Sequence, residues 1–342
     1  MKWFSVGLLG AVFLLLTSDR SFAWGERGHH VICEVATRLV ESEELSRFLQ
    51  GRGHMSGHVC NIPDIHWKSH PENANEIDAS HFMDPENLNY KISEVPLDLN
   101  RIASEKSKSK AELAVELGTL WWRAEQFYRA AVDGVKLAKN ASFPDKEEYQ
   151  SKTNPYNRGI FEFVTNISLM GHFVGDASMP YHNTADYDGW ERGRGGIHAY
   201  YESMSVSAMD LGLVSNVFEQ ATAIKKKTRA LKMKLNRSVV EMIKDLSVQS
   251  AGEIVQVEAL DKILSPSDKE TKTYAKRPSV EQGAKVFKKL ICSQLARSSL
   301  LLATFWEKAW EEGGKVSFKG YRSYQYPVAP EIVPLDYLDK HK

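Results

Sequence analysis

Eleven histidines are spread along this chain, and several stand at spacings that suit a metal. In the segment 169–182 (LMGHFVGDASMPYH), His172 and Asp176 are one helical turn apart and project from one face. Pro180 ends that helix and His182 follows at once. A nitrogen and a carboxylate brought together in this way suit a divalent cation. The plainer alternative is a hydrogen-bonded core pair, because Leu169, Met170, Phe173 and Val174 make the helix apolar. A second cluster, GGIHAYYE at 195–202, repeats the spacing with His198 and Glu202, after a loop flexible enough to fold back to His182. A third comprises Asp64 in NIPDIHW and His81 in SHFMDPEN, and a fourth is WGERGH at 24–29, ending in His29. A zinc ion takes three or four protein ligands, so this inventory suits two or three ions. It contains no Cys, which excludes a closed structural Cys site; mixed His and carboxylate sites with open positions suit catalysis.

The first residues carry the pattern of an export leader. Met1-Lys2 is a short positive start, 3–16 is almost wholly apolar, and Ser21 and Ala23 offer the small residues a signal peptidase accepts. The expected cut follows Ala23; an uncleaved anchor is the alternative. The apolar run is too short to span a bilayer comfortably, and no other run approaches spanning length. The cut delivers the protein to the periplasm or outside the cell, where a Cys33–Cys60 bridge is an open question. It also makes Trp24 the first residue. A free α-amine with a pKa near 8 can then chelate a metal together with its own carbonyl.

Helices must position these groups. Apolar residues recur at helical spacing within 29–50, and Leu113, Leu117, Leu120, Trp121, Ala124, Phe127 and Tyr128 form one stripe within 104–138. Further helices are expected at 157–177, 205–222, 230–262 and 279–311. The Gly- and His-rich stretch 51–60 (GRGHMSGHVC) reads as a loop, and the prolines of 61–100 argue against long helices there. The segment 312–342 reads as an extended tail over the surface. No period-2 strand set or internal repeat is present, so the expectation is all-α, one domain spanning 24–311.

Composition sets outer limits. Hydrophobic residues make up 42% and aromatics 10% of the 342 residues, enough for a folded core. The formal net charge of +0 argues against binding nucleic acid mainly through a basic surface, but not against a nuclease that grips through metals.

The start WGERGH, the lone Asp64, His81–Asp84, the H-x3-D-x5-H of 172–182 and the H-x3-E of 198–202 together resemble the zinc phospholipase C / S1-P1 nuclease superfamily. The resemblance covers 24 to about 311. It implies an all-α multi-helix bundle with three zinc ions in a cleft. Asp64, His81, His172 and Asp176 would hold the first; the Trp24 amine and carbonyl, His29 and a bridging Asp176 the second; His182, His198 and Glu202 the third. It also implies water-mediated hydrolysis of a phosphate ester, with Asp176 and Asp64 as the catalytic carboxylates and no Ser or Cys nucleophile.

The two branches differ at readable positions. Glu202 as the last ligand, the text SHFMDPEN and the helix LLLATFWEKAWEEG are similar to the phospholipase C branch. The closeness of His29 to Trp24 is similar to the nucleases, which typically carry Arg where this chain has Trp67, beside Lys68. The balance favours phospholipase C, acting on phospholipid at a membrane or micelle, over a nuclease acting on single-stranded nucleic acid. A non-catalytic zinc-binding or lipid-binding secreted protein is the reading from another class. No protein partner is expected. Phe82, Trp67, Tyr181, Tyr187, Trp190, Tyr200 and Tyr201 suit either substrate, and at least half of them are expected to be core. His54 and His58 in their Gly-rich stretch could bind a metal but read rather as solvent-exposed, His30, His66 and His70 as bystanders, and Trp122 or Trp121 as partly exposed. Asn140 and Asn236 sit in glycosylation patterns.

Overall fold

Asn154 and Pro155 open the helix on which the rest is built. The Asn154 side chain accepts from the amides of Tyr156 and Asn157, and Pro155 needs no partner in the first turn. This helix, Pro155–Ser178, is buried on almost all sides through its C-terminal half. In the computed structural model, which describes residues 24–70, 74–230 and 237–338, it is the eighth of fourteen α-helices. The expected leader (1–23), Asn236 and His341 lie outside the described residues.

In chain order the helices are α1 (Gly25–Leu39), α2 (Glu43–Gln50), α3 (Gly53–Ile65), α4 (Ala74–Ala79), α5 (Leu99–Lys106), α6 (Lys110–Leu117), α7 (Leu120–Lys139) and α8. After a loop come α9 (Ile197–Ala199), a π turn (Tyr200–Met204), α10 (Ser205–Ser207), α11 (Leu213–Ala230), α12 (Val239–Gly252), α13 (Ile254–Leu260) and α14 (Val280–Glu312). Among the described residues the only β pairing is two isolated bridges within 265–276. The fold is all-α, as expected.

One apolar core joins the long helices. α7 and α8 pack almost backbone to backbone. A Cβ at Gly134 would lie 2.8 Å from the Phe163 nitrogen, and one at Gly159 would lie 2.5 Å from the Gly134 carbonyl oxygen. α1 packs on α3, α14 and α8, and α3 also packs on α8. Thus α1, α3 and α8 form a wall around one interior point. No helix among the described residues is long and apolar enough to cross a membrane.

The structure corrects three expectations. Residues 51–60 are not a loop: most of them belong to α3, with Val59, Cys60 and Ile62 buried. The glycines serve closeness rather than flexibility, since a Cβ at Gly57 would lie 2.5 Å from the His30 ring. The stripe over 104–138 is cut into three helices. Ser107 (φ 53°) ends α5, and Gly118 (φ 81°) ends α6 where a Cβ would meet the Phe82 carbonyl oxygen at 2.0 Å. Both Trp121 and Trp122 are core, each with its indole N–H donating, to Ser247 and to the Leu97 carbonyl. Cys33, Cys60 and Cys292 are free, buried thiols.

Beyond α14 the chain runs without helix to residue 338. It is tightly fastened. Phe318 stacks on Phe48 with ring centroids 4.0 Å apart, Trp67 donates to the Pro330 carbonyl, and Gln126 donates to the Pro334 carbonyl. Arg129 meets Asp336 with two bonds of 2.8 Å.

Candidate metal centre

Each helix of that wall contributes to one buried cluster. α8 presents His172 and Asp176 from one face, both fully buried. α1 contributes His29 one turn after Trp24, which stands in the left-handed region (φ 47°) at the helix start. α3 contributes Asp64 in its last turn, directly after Pro63, whose missing N–H removes one bond of the helical ladder near its end. His81 sits just past α4, and the following Met83 amide donates to the His182 carbonyl, so these two loops hold each other.

The second group is built on the short helical stretch 197–207. The Asp188 carboxylate accepts from the amides of Gly196 and His198 and so anchors the start of α9. The π turn then carries Glu202 inward, fully buried. π turns are frequent at functional sites because they re-aim a side chain within a helix.

The distances are those of a ligand set. Asp176 Oδ2 lies 3.0 Å from His81 Nδ1 and 3.4 Å from His172 Nε2, and Asp176 Oδ1 lies 3.3 Å from His29 Nε2. Asp64 Oδ1 is 3.6 Å from His172 Nε2 and 3.7 Å from His81 Nδ1. In the other group His198 Nε2 is 2.9 Å from Glu202 Oε1, and His182 Nε2 is 3.6 Å from Glu202 Oε2. Tetrahedral bonds of about 2.0–2.1 Å put ligand atoms about 3.4 Å apart. The Trp24 nitrogen donates to Glu202 Oε2 at 3.0 Å, so it stands beside this second group rather than beside His29 alone. Its indole is locked by bonds to the Gly175 carbonyl and Ser178 Oγ.

Several buried His, Asp and Glu groups could therefore hold a metal ion. The donor chemistry fits one. His172 Nδ1 pairs with the Cys60 carbonyl at 2.8 Å, His182 Nδ1 with the His81 carbonyl at 2.5 Å, and His198 Nδ1 with the Tyr187 carbonyl at 2.9 Å. A carbonyl only accepts, so each Nδ1 carries the proton and each Nε2 of a neutral ring presents a lone pair. The lone pairs of His182 and His198 then face each other at 3.1 Å, which requires a proton or a cation between them. Both nitrogens of His29, Nε2 of His81, Oδ1 of Asp176 and Oδ2 of Asp64 are buried without a hydrogen-bond partner. Each such orphan costs ~1–3 kcal/mol, so a protein would not keep this many together unless something satisfies them.

The electrostatics agree. Burial pushes the His29 imidazole down to about 4 and holds His81 and His172 well below the usual range, which keeps these rings neutral and able to ligate. Burial pushes the Asp176 carboxyl well up, a cost that a neighbouring cation would reverse. Burial also penalises the Glu202 carboxylate, but His198 and His182 outweigh it and bring it to about 2.

All nine residues singled out in the sequence, Trp24, His29, Asp64, His81, His172, Asp176, His182, His198 and Glu202, line these two adjoining groups. Two neighbours stand outside that set: Lys68, noted in the sequence only for its place beside Trp67, and Asp188. Lys68 is buried with its Nζ 2.6 Å from Asp64 Oδ1, one turn on; burial lowers its pKa but Asp64 raises it more, so it stays charged. The same i, i+4 spacing used for the ligands would have found it. Asp188 had no signal, because its role is to bind backbone amides. Of the seven aromatics, Trp67, Tyr181, Tyr200 and Tyr201 are core, whereas Phe82 and Trp190 are half-buried and Tyr187 is exposed. No family model matches the chain, and no curated protein matches it.

Proposed function

We propose that this protein is an exported zinc phosphodiesterase of the phospholipase C / S1-P1 nuclease fold, acting as a phospholipase C. The observation that carries the reading is the convergence of nine sequence-distant residues on two adjoining buried donor groups with unpaired lone pairs. Three zinc ions would be held by Asp64, His81, His172 and Asp176, by Trp24, His29 and Asp176, and by His182, His198 and Glu202. Bound there, zinc supplies Lewis acidity toward phosphate oxygens and makes water acidic enough to be a nucleophile near neutral pH.

The chain's own residues set up the rest. Asp176 meets three imidazoles with its two oxygens and keeps them in one place. Asp64 Oδ2, without a hydrogen-bond partner, is the atom positioned to take a proton from an attacking water. Lys68 holds the other oxygen of Asp64 and adds a fixed positive charge for the phosphate. Tyr187 supports a choline head group: it is 55% exposed and offers a ring face 5.8 Å from the ring of His198.

A nuclease is the second reading, supported by a different aromatic pair. Trp190 and the exposed Tyr274 lie 5.1 Å apart beside the glycines that lead into His198, a platform on which a base could stack. The deciding experiment assays the mature protein on phosphatidylcholine micelles and on single-stranded DNA, with and without chelator. Chelator-sensitive release of phosphocholine, faster than DNA cleavage, is expected. The reverse preference selects the nuclease, and no hydrolysis of either by the zinc-loaded protein sinks the enzymatic reading in favour of a non-catalytic zinc protein.

A further inference from the structure

On a solvent-facing side of the α1–α3 pair lies a donor cluster that shares no residue with the buried centre. His30 and Glu34 stand one turn apart on α1, and His54 opens α3 across from them. One ligand atom from each lies within 4.8 Å of the others. We propose that His30, Glu34 and His54 form a separate, solvent-facing zinc site that staples α1 to α3.

The packing prepares this arrangement. His30 follows His29 in sequence but points about 100° further round the helix. His29 is fully buried, whereas the His30 side chain is 32% exposed. The His30 ring fills the gap left by Gly57 on α3, and the Glu34 stem rests against Gly53, 3.3 Å from where a Cβ would stand. Two glycines that look like loop formers are thus what lets both α1 side chains lie across α3. Glu34 Oε1 accepts from Arg38, so Oε2 is the oxygen turned toward His30 Nε2, at 3.8 Å. The rings of His30 and His54 are 5.6 Å apart. Zinc ligands stand about 3.4 Å apart, so the set must contract by roughly an ångström. His54 is exposed and can turn to do this. His58, one turn further on, bonds through Nε2 to the Val328 carbonyl and is fastened to the tail instead.

Two imidazoles and one carboxylate, with the fourth position open to water, suit zinc rather than calcium or magnesium. Exposure makes this ion exchangeable, unlike one in the buried centre. It would still matter to that centre, because α1 carries Trp24 and His29 and α3 carries Asp64.

The test counts zinc. Full-length mature protein is dialysed against a series of free zinc concentrations, and bound zinc per chain is measured by elemental mass spectrometry. Wild type is compared with His54→Ala, Glu34→Gln and Asp176→Asn, with circular dichroism to verify the fold. His54→Ala and Glu34→Gln are each expected to bind one zinc fewer than wild type. Both should also lose the rise in Tm that added zinc gives wild type. Asp176→Asn is expected to keep this exchangeable zinc. If His54→Ala and Glu34→Gln both bind as much zinc as wild type across the series, the site is overturned, whatever Asp176→Asn does to the buried centre.

Discussion

Asp176 is the residue on which most of the centre converges, and its chemistry gives the sharpest expectation. Replacing it with Asn keeps the shape but removes the charge that three imidazoles surround. Turnover of Asp176→Asn is expected to fall more than about 100-fold with the helical fold retained, measured by kcat and circular dichroism together. Wild-type turnover would remove Asp176 from the mechanism. Asp84 gives a pH signature of its own. Burial, with Glu86 nearby, raises its pKa from 3.8 to about 8. The folded state therefore holds this proton more tightly than the unfolded chain, so the stabilisation is full below the unfolded pKa and is lost as pH rises toward 8. Between about pH 5 and about pH 8, Asp84→Asn should lose less Tm than wild type; parallel profiles would mean the carboxyl is not held neutral. At this scale the sequence was informative wherever chemistry depends on spacing along one helix. His172 with Asp176 and His198 with Glu202 could be read directly, and Lys68 with Asp64 could have been. The aromatics could not, because nothing in Trp67 or Tyr201 says which face of its element looks inward.

Helices bring these residues together only by packing very closely. At Gly171 in α8, a Cβ would meet Cys33 Sγ at 2.2 Å and Leu302 Cδ2 at 2.9 Å, both buried. Gly171→Ala is expected to destabilise by about 1–3 kcal/mol, read as a lower urea midpoint at unchanged m-value. A midpoint equal to wild type would show that the α1–α8 contact can yield. The start of α1 is equally constrained. Trp24 is fully buried and its nitrogen is 3.0 Å from Glu202 Oε2. One extra residue left before it would keep that nitrogen a peptide amide, and native mass spectrometry is expected to count one zinc fewer; an unchanged count would take Trp24 out of the ligand set. The same close packing explains why α3 was illegible. Gly53 and Gly57 have the composition of a loop, and only a partner helix laid against them makes them helix formers in practice. The breaks at Ser107 and Gly118 were hidden for the opposite reason, since the apolar stripe of 104–138 runs through both without a change of period.

The molecule as a whole is a helical wall closed by its own C-terminal segment. Phe318 stacks on Phe48 and also faces Phe163 and Trp310. Phe318→Ala should cost about 3–5 kcal/mol, measured by denaturant unfolding; a loss below about 1 kcal/mol would mean the tail is only draped over the surface. The anchorage of this segment was not legible in the sequence, because its anchors join groups far apart along the chain, several of them a backbone carbonyl taken by a distant side chain. Trp67 reaches Pro330 across 263 positions. This has a consequence for the order of events during synthesis. The ribosome releases α1 to α3 long before the segment that covers their flank, and chains begin to fold from the end made first. A nascent chain therefore exposes Phe48 and the edge of Trp67 until translation finishes. Chaperones that shield apolar surface then have their longest window on the N-terminal helices.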